Sequence, residues 1–163
     1  MLEFVEKFSY LGLFLILLAE EGGVPLPIPG DIFIATVAAL PQSNYFLTVV
    51  TVVAATCAGS TILFSLARIF GHRLIVKLGK YIRLTPDKIN KIEAWFEKHG
   101  GKTILIGRLI PGLRIITPAV AGIFEVSYKT FWVYTVLAAF IWANLYFLAG
   151  RLFGNIIEKV ARF

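Results

Sequence analysis

The sequence predicts an all-α integral membrane protein with a single membrane domain over 1–163, and three observations support this class. First, 58% of the 163 residues are hydrophobic and only 16% are charged. Second, the uncharged runs at 32–67 and 130–150 each exceed the roughly 20 residues that a helix needs to cross a bilayer. Third, Pro and Gly interrupt the apolar sequence at 28–30 and 110–112. Two full spans and two broken apolar segments are therefore expected.

A broken apolar segment opens the chain. Its apolar stretches at 8–19 and 32–40 are each too short to cross a bilayer alone, and the sequence AEEGGVPLPIPGD joins them. Non-helical backbone at membrane depth is tolerated only where protein or a water-filled cavity surrounds it. The pattern therefore predicts a re-entrant hairpin whose tip lies near the middle of the membrane.

A full span and a basic segment follow. The turn PQSN at 41–44 precedes the span, which we place at Tyr45 to Ala67. Nine of the sixteen Lys and Arg then lie at 68–102, where Asp and Glu number only three. Because positive charge favours the cytoplasmic side, this segment is predicted to be cytoplasmic in a multi-pass protein of the plasma membrane.

Within the basic segment, residues 84–100 are predicted to form a short amphipathic helix. Thr-Pro-Asp at 85–87 is an N-terminal capping signal, and Gly-Gly at 100–101 is a stop signal. The helix would lie on the membrane surface or cap the bundle in water. Its basic residues alternate with Leu, Ile and Trp, which favours anionic lipid headgroups as partners and argues against nucleic acid.

The second half repeats the order of broken segment and span. Short apolar stretches at 103–107 and 115–124 surround its break, and the span at 130–150 follows. Self-alignment at an offset of about 82 residues superimposes both breaks and both span ends, which indicates a duplication. Repeat 1 would cover about 1–81 and repeat 2 about 82–163. The residues assigned to the two breaks are Pro29, Gly30, Pro111, Gly112 and Pro118.

The relative orientation of the repeats depends on how many times each one crosses the membrane. An odd number inverts them, as in many secondary transporters whose substrate site lies between the repeats. We expect this arrangement, although it places Arg151, Lys159 and Arg162 opposite the basic segment, against the positive-inside rule. Full crossings in both hairpins would instead leave the repeats parallel.

Two arginines, Arg108 and Arg114, flank the second break in otherwise apolar sequence. A cationic side chain in hydrocarbon costs roughly 2.5–3.5 kcal/mol on translocon scales, so it is usually retained for a ligand or a pathway. Arginine offers planar, bidentate donors to phosphate oxygens and keeps its charge when buried. We therefore expect the pair to bind phosphate. The alternative is a structural pair that snorkels or holds helices together through Glu.

Acidic residues occupy the matching segment of the first half, where Glu20, Glu21 and Asp31 flank the break. Burial favours the protonated form of a carboxylate and a nearby arginine favours the charged form, so these acids could bind and release a proton during transport. A static ion-pair lock between the hairpins is the alternative.

These segments resemble the DedA family, also called SNARE-associated membrane proteins, over nearly the whole chain. The family's Glu followed by a Pro-Gly-acid segment is similar to Glu20–Asp31. Its R-x-x-P-x-x-R motif with a downstream Ala-Gly is similar to Arg108, Pro111, Arg114 and Ala121-Gly122. The resemblance implies a lipid translocase that recycles undecaprenyl phosphate or moves phospholipids, with a link to the proton motive force.

A further family pattern, G-D-x-x-x-Y-x-x-G-R-x-x-G, is matched only in part. Gly59, Arg68 and Gly71 agree with it. The chain departs from the pattern at an acid, an aromatic hydroxyl and a glycine, where it carries Ser60, Phe64 and Ala67. The first departure removes one acid that the resemblance would assign to coupling.

The leading prediction is a transporter of a phosphate-bearing lipid, and two other classes stay open. A proton or cation antiporter would use the carboxylates and keep the arginines structural, and a membrane assembly protein would need no transport at all. A lipid phosphatase is disfavoured because His72 and His99 lack a catalytic constellation. We predict no enzyme activity, no metal and no cofactor, and a homodimer is left open.

Overall fold

The computed structural model describes residues 2–82, 91, 94–95, 98–110 and 113–161. Within them the chain is helical and contains no β-strand, which confirms the predicted all-α class. The helices whose bounds the described residues define, numbered in chain order, are α1 Leu2–Glu21, α2 Gly30–Ala39, α3 Tyr45–Ile82, α4 Gly101–Leu109, α5 Leu113–Ile123 and α6 Tyr128–Ala161.

Two of these helices are long and apolar enough to cross a membrane. The candidate spans are Tyr45–Gly71 in α3 and Tyr128–Gly154 in α6, so both predicted spans are confirmed and extend a few residues further. Polar caps fix where the helices begin. The Asn44 side chain accepts a hydrogen bond from the Leu47 amide at 3.1 Å, and Ser127 accepts one from the Thr130 amide at 3.2 Å.

The chain divides into two compact units. Unit 1 comprises Met1–Gly59 and Ala139–Phe163, and unit 2 comprises Ser60–Ala138. Each unit therefore contains one pair of helices that are shorter than α3 and α6, together with part of both of those long helices. The first helix pair is α1 and α2, and the second helix pair is α4 and α5. Unit 2 is the middle of the sequence and unit 1 combines its two ends, so neither coincides with a predicted repeat, and the repeat boundary near residue 81 stays a prediction.

In unit 1 the long helices approach the first helix pair through glycines. A Cβ atom at Gly59 of α3 would lie 2.5 Å from the Leu18 carbonyl oxygen of α1 and 2.8 Å from the Glu21 Cβ. A Cβ at Gly150 of α6 would fall against the backbone of Ala35 in α2. Such close backbone approach explains why glycine occupies these helix interiors despite its poor helix propensity.

Unit 2 is built around an aromatic core. Phe64 and Phe131 stack at a centroid distance of 4.2 Å, and Ile104 and Ala121 complete the buried cluster. A Cβ at Gly122 of α5 would fall against the Phe64 carbonyl oxygen and lie 3.0 Å from the Ala67 Cβ.

The contact at Gly122 explains one departure from the family pattern. Ala67 stands where the family has glycine, and the small residue that the close approach requires is instead Gly122 on the facing helix. In unit 1 the arrangement is reversed, because Gly150 on the long helix faces Ala35 and Ala38 on α2.

Two details of the predicted breaks need correction. Pro118 was assigned to the second break, but it lies inside α5 and is buried. Pro118 has no N–H for the Arg114 carbonyl four residues back, and transmembrane helices tolerate such a proline where neighbouring groups satisfy the freed carbonyl. Likewise, the predicted Gly-Gly stop is a one-residue break, because Gly100 has a φ of 54° and Gly101 begins α4.

The predicted amphipathic helix at 84–100 falls mostly outside the described residues. Helical backbone is present at 91, 94–95 and 98–99. Trp95 and His99 stack there at a centroid distance of 4.1 Å. The remainder of that prediction is untested.

Candidate substrate site at the helix breaks

The second helix pair carries one arginine on each side of its break. α4 ends at Leu109 and α5 begins at Leu113, so Arg108 is the penultimate residue of α4 and Arg114 is the second residue of α5. The break residues Pro111 and Gly112 lie outside the described residues. Arg108 is only 4% exposed and Arg114 only 5%. Two guanidiniums are therefore buried beside one break in an apolar protein.

Helix dipoles affect the two arginines in opposite ways. Arg108 lies in the last turn of α4, where the carbonyl ends favour a cation. Arg114 lies in the first turn of α5, where the positive end of the dipole disfavours a cation and attracts an anion. The start of α5 therefore combines a guanidinium with the end of a helix that favours negative charge.

The first helix pair carries acids at the matching positions. Glu20 and Glu21 are the last two residues of α1, with exposures of 5% and 1%, and Asp31 is the second residue of α2. Glu20 is penultimate in its helix, as Arg108 is in α4. Asp31 likewise matches Arg114, because each is the second residue of its helix. The two breaks therefore carry side chains of opposite charge type at equivalent helix positions.

Glu20 also caps α2. Its Oε2 atom accepts a hydrogen bond from the Gly30 amide at 3.1 Å, while Pro29 at the N-cap offers no side-chain acceptor. A Cβ at Gly30 would fall against this carboxylate, so only glycine allows the approach. An acidic side chain at the start of a helix is favoured by the dipole, which helps to stabilise this buried contact.

Asp31 has a partner that the sequence analysis did not assign. Its Oδ1 atom accepts a hydrogen bond from Trp142 Nε1 at 2.8 Å. Trp142 is itself buried and lies near the middle of the candidate span in α6. The two residues are 111 positions apart. No local periodicity signals such a contact, so sequence reasoning could not find it.

A similar cluster of an arginine and two aromatic rings joins the long helices in each unit. In unit 2, Arg68 Nη1 donates to the Val126 carbonyl at 2.7 Å, and its guanidinium carbon lies 5.9 Å from the Phe64 ring and 5.2 Å from the Tyr128 ring. The Phe64 and Tyr128 rings meet edge to face at 5.0 Å. We call these residues the Arg68 cluster.

In unit 1 the same elements recur as the Arg151 cluster. Arg151 Nη2 donates to the Ser43 carbonyl at 3.4 Å, and its guanidinium carbon lies 5.8 Å from the Phe147 ring. Phe147 meets Tyr45 edge to face at 5.2 Å. Every member lies at the same sequence offset from its counterpart in the Arg68 cluster. Self-similarity of the sequence matches the two span ends, but it does not indicate a role for Arg68 and Arg151.

The predicted site residues thus divide between the units. Glu20 and Asp31 flank the break of the first helix pair in unit 1, and Arg108 and Arg114 flank that of the second pair in unit 2. An all-helical chain with two membrane-length apolar helices and buried charges at two helix breaks defines an integral membrane protein.

Comparison with known proteins identifies the family. The model of the VTT domain matches residues 28–152. The chain is 36% identical to protein DedA of Escherichia coli K12 over 153 residues, which cover 90% of this chain and 69% of the relative. It therefore belongs to the VTT-domain family, the DedA family, and is a membrane protein with transmembrane helices. No solved structure matches the chain.

Two further relatives have a similar extent. The membrane protein YbfM of Bacillus subtilis is 29% identical over 94% of this chain and 96% of its own length. The undecaprenyl phosphate transporter A of Staphylococcus aureus is 31% identical over 91% of this chain and 76% of its own length. One relative is thus described as a transporter of a lipid phosphate.

Proposed function

We propose that this protein moves a phosphate-bearing lipid across the bilayer and that Arg108 and Arg114 bind the phosphate. The observation that carries the proposal is the burial of both guanidiniums beside one break in an apolar chain. Buried arginines in membrane proteins are costly and are retained for ligands or pathways. The relative described as a transporter of undecaprenyl phosphate makes a polyprenyl phosphate the first substrate to test, with a phospholipid second.

The proposed architecture is a pair of inverted repeats, near 1–81 and 82–163. The Arg68 and Arg151 clusters support it, because each joins the end of one candidate span to the start of the other with the same residue types. Small-residue contacts at Gly122 and Gly150 add a second recurring feature. A duplicated chain in which each unit contains part of both long helices would produce the recurring clusters and the recurring small-residue contacts.

Each helix pair is proposed to be a re-entrant hairpin. In unit 1, Gly59 and Trp142 lie near the middle of their candidate spans and contact the end of α1 and the start of α2. These contacts support a break near mid-span depth. α2 has 10 residues, which at 1.5 Å per residue correspond to about 15 Å, or half of a hydrocarbon core of about 30 Å.

The acids are proposed to couple transport to protons. Glu20, Glu21 and Asp31 are carboxylates at the break of the first helix pair, two of them at least nine-tenths buried. A proton that binds there as the phosphate leaves would give net movement in one direction. The basic segment 68–102 would face the cytoplasm of a plasma-membrane protein and contact anionic lipids.

Transbilayer movement in reconstituted vesicles tests the proposal. A fluorescent polyprenyl phosphate is placed in phosphatidylcholine vesicles, and its movement is compared for wild type, Arg114→Ala and Lys102→Gln. Lys102 is an exposed cation at the start of α4 and serves as the matched control. We expect Arg114→Ala to slow movement by about a hundredfold and Lys102→Gln to leave it unchanged. Equal rates in all three proteins would refute phosphate binding by Arg114.

A cation antiporter is the second candidate, and the buried Glu20 and Glu21 favour it. In that case a pH gradient would drive uptake of Na⁺ in vesicles without any lipid phosphate, and Arg114→Ala would retain the uptake if folded. An assembly role makes a different prediction, because Arg108→Lys would then preserve function in every folded sample.

A further inference from the structure

The Arg68 and Arg151 clusters lie where the candidate spans reach their ends. Arg68 precedes the end of the span Tyr45–Gly71 by three residues, and Arg151 precedes the end of Tyr128–Gly154 by three. Arg68 contacts Tyr128, the first residue of the other span, and Arg151 contacts Ser43, two residues before the other span begins. If both helices cross the membrane once, one cluster lies at each membrane surface, where phosphate headgroups are located.

Each arginine has donors available for a ligand. Arginine carries five N–H donors. In the described part of the chain each of the two guanidiniums uses one of them, for Val126 in unit 2 and for Ser43 in unit 1. That bond and the adjacent ring hold the planar guanidinium in place, so less side-chain entropy is lost when a phosphate binds to the remaining donors.

Both clusters also combine hydroxyls with exposed apolar surface. Tyr128 is 46% exposed and its hydroxyl lies 3.3 Å from the Ser65 hydroxyl, while Tyr45 is equally exposed and donates to Asn144 Oδ1 at 2.6 Å. Beside each arginine, the same long helix exposes a row of large apolar side chains along which a lipid tail could lie. These are Ile62, Leu66 and Ile69 in unit 2, and Leu145, Leu148 and Leu152 in unit 1.

We infer that the two clusters are matched surface sites for the phosphate of the transported lipid, one for loading and one for release. The inference rests on the proposed lipid-phosphate transport and adds two positions to it. The phosphate binds the free edge of the Arg68 or Arg151 guanidinium beside the tyrosine, and the tail stays against the exposed apolar row. The helix break is then reached from either surface.

Photo-crosslinking tests the inference independently of transport. A short-chain polyprenyl phosphate with a photoreactive group next to the phosphate is added to protein in phosphatidylcholine vesicles, and labelled peptides are mapped by mass spectrometry. We expect labelling at both clusters and at the second helix pair. Arg68→Gln should reduce labelling of its own cluster about tenfold and leave the Arg151 cluster labelled, and Arg151→Gln should do the reverse.

Labelling of the unaltered cluster reports that a variant is folded. If Arg68→Gln or Arg151→Gln does not fold, the lysine variants Arg68→Lys and Arg151→Lys, which keep the charge and lose the planar guanidinium, take its place. Lys129→Gln, next to Tyr128, is the matched charge control and should change nothing. Labelling at the second helix pair alone would overturn the inference and leave the proposed function standing. Competition by phosphatidylglycerol as strong as by polyprenyl phosphate would assign the clusters to bulk headgroups and overturn it too. The absence of specific labelling at any position would contradict both the inference and the proposed function.

Discussion

The two units share their packing and differ in the charge at their helix breaks. Arg68, Phe64 and Tyr128 in unit 2 have direct counterparts in unit 1, with the same edge-to-face rings and the same bond from arginine to a backbone carbonyl. At the breaks, by contrast, Glu20 of α1 and Arg108 of α4 occupy the same penultimate position with opposite charge.

This comparison separates the features that both units share from those that distinguish them. Contacts that hold helices together are subject to the same steric requirements in both units, so they keep the same residue types. The breaks have no such common requirement, and their opposite charges fit the two roles proposed above, proton binding in unit 1 and phosphate binding in unit 2. The predictions below test the shared and the differing features, from the largest expected effect to the smallest.

The largest effect should come from the small-residue contacts that both units share. Gly150→Ala and Gly122→Ala each place a Cβ against a backbone carbonyl, so we expect each to destabilise the protein by about 2 kcal/mol. Gly12→Ala is the control, because a Cβ there meets nothing within 4 Å and should stabilise α1 by up to about 1 kcal/mol. The measurement is the thermal unfolding midpoint in detergent. If only one of Gly150→Ala and Gly122→Ala lowers this midpoint, the two contacts are not equivalent.

A smaller effect should distinguish the two breaks. Asp31→Ala removes the acceptor of the buried Trp142 indole, which should cost about 1 kcal/mol, whereas Asp31→Asn keeps an amide oxygen in its place. We therefore expect a lower unfolding midpoint for Asp31→Ala than for Asp31→Asn, with both variants losing the dependence of transport on a pH gradient. Retention of that dependence in Asp31→Asn would remove Asp31 from proton coupling.

The smallest effect concerns how α1 and α5 end. Both close with a hydrogen bond back across five residues, from Val24 to Ala19 and from Val126 to Ala121. The left-handed residue of this motif is Gly23 at φ 94° in α1 and Glu125 at φ 52° after α5. Glu125→Gly should raise stability by about 0.5–1 kcal/mol and Gly23→Ala should lower it similarly. A loss of stability in Glu125→Gly would show that its side chain has another role.

Sequence periodicity was sufficient for the parts of the molecule that depend on local pattern. The spans, the two breaks and the helical class follow from apolar runs and from Pro and Gly, and the structure agrees. Pro118 was misassigned because proline in a sequence usually marks a helix break, whereas here it lies in the interior of α5.

The remaining features depend on contacts between distant residues. Three of them join positions far apart in the chain: the hydrogen bond from Trp142 to Asp31, the two arginine clusters, and the close contact of Gly122 with Ala67. Only the fold brings them together. The roles assigned to Arg108, Arg114, Glu20, Glu21 and Asp31 remain predictions, although all five residues flank the breaks where the sequence placed them.

The central claim is that the protein recognises the phosphate of its lipid, and one comparison tests this most directly. Wild-type protein is reconstituted with either a fluorescent polyprenyl phosphate or the fluorescent polyprenol that has the same tail and lacks the phosphate. The account predicts rapid transbilayer movement of the phosphate and only the protein-free rate for the polyprenol. Equal acceleration of both lipids would contradict it, because the buried arginines would then have no part in choosing the substrate.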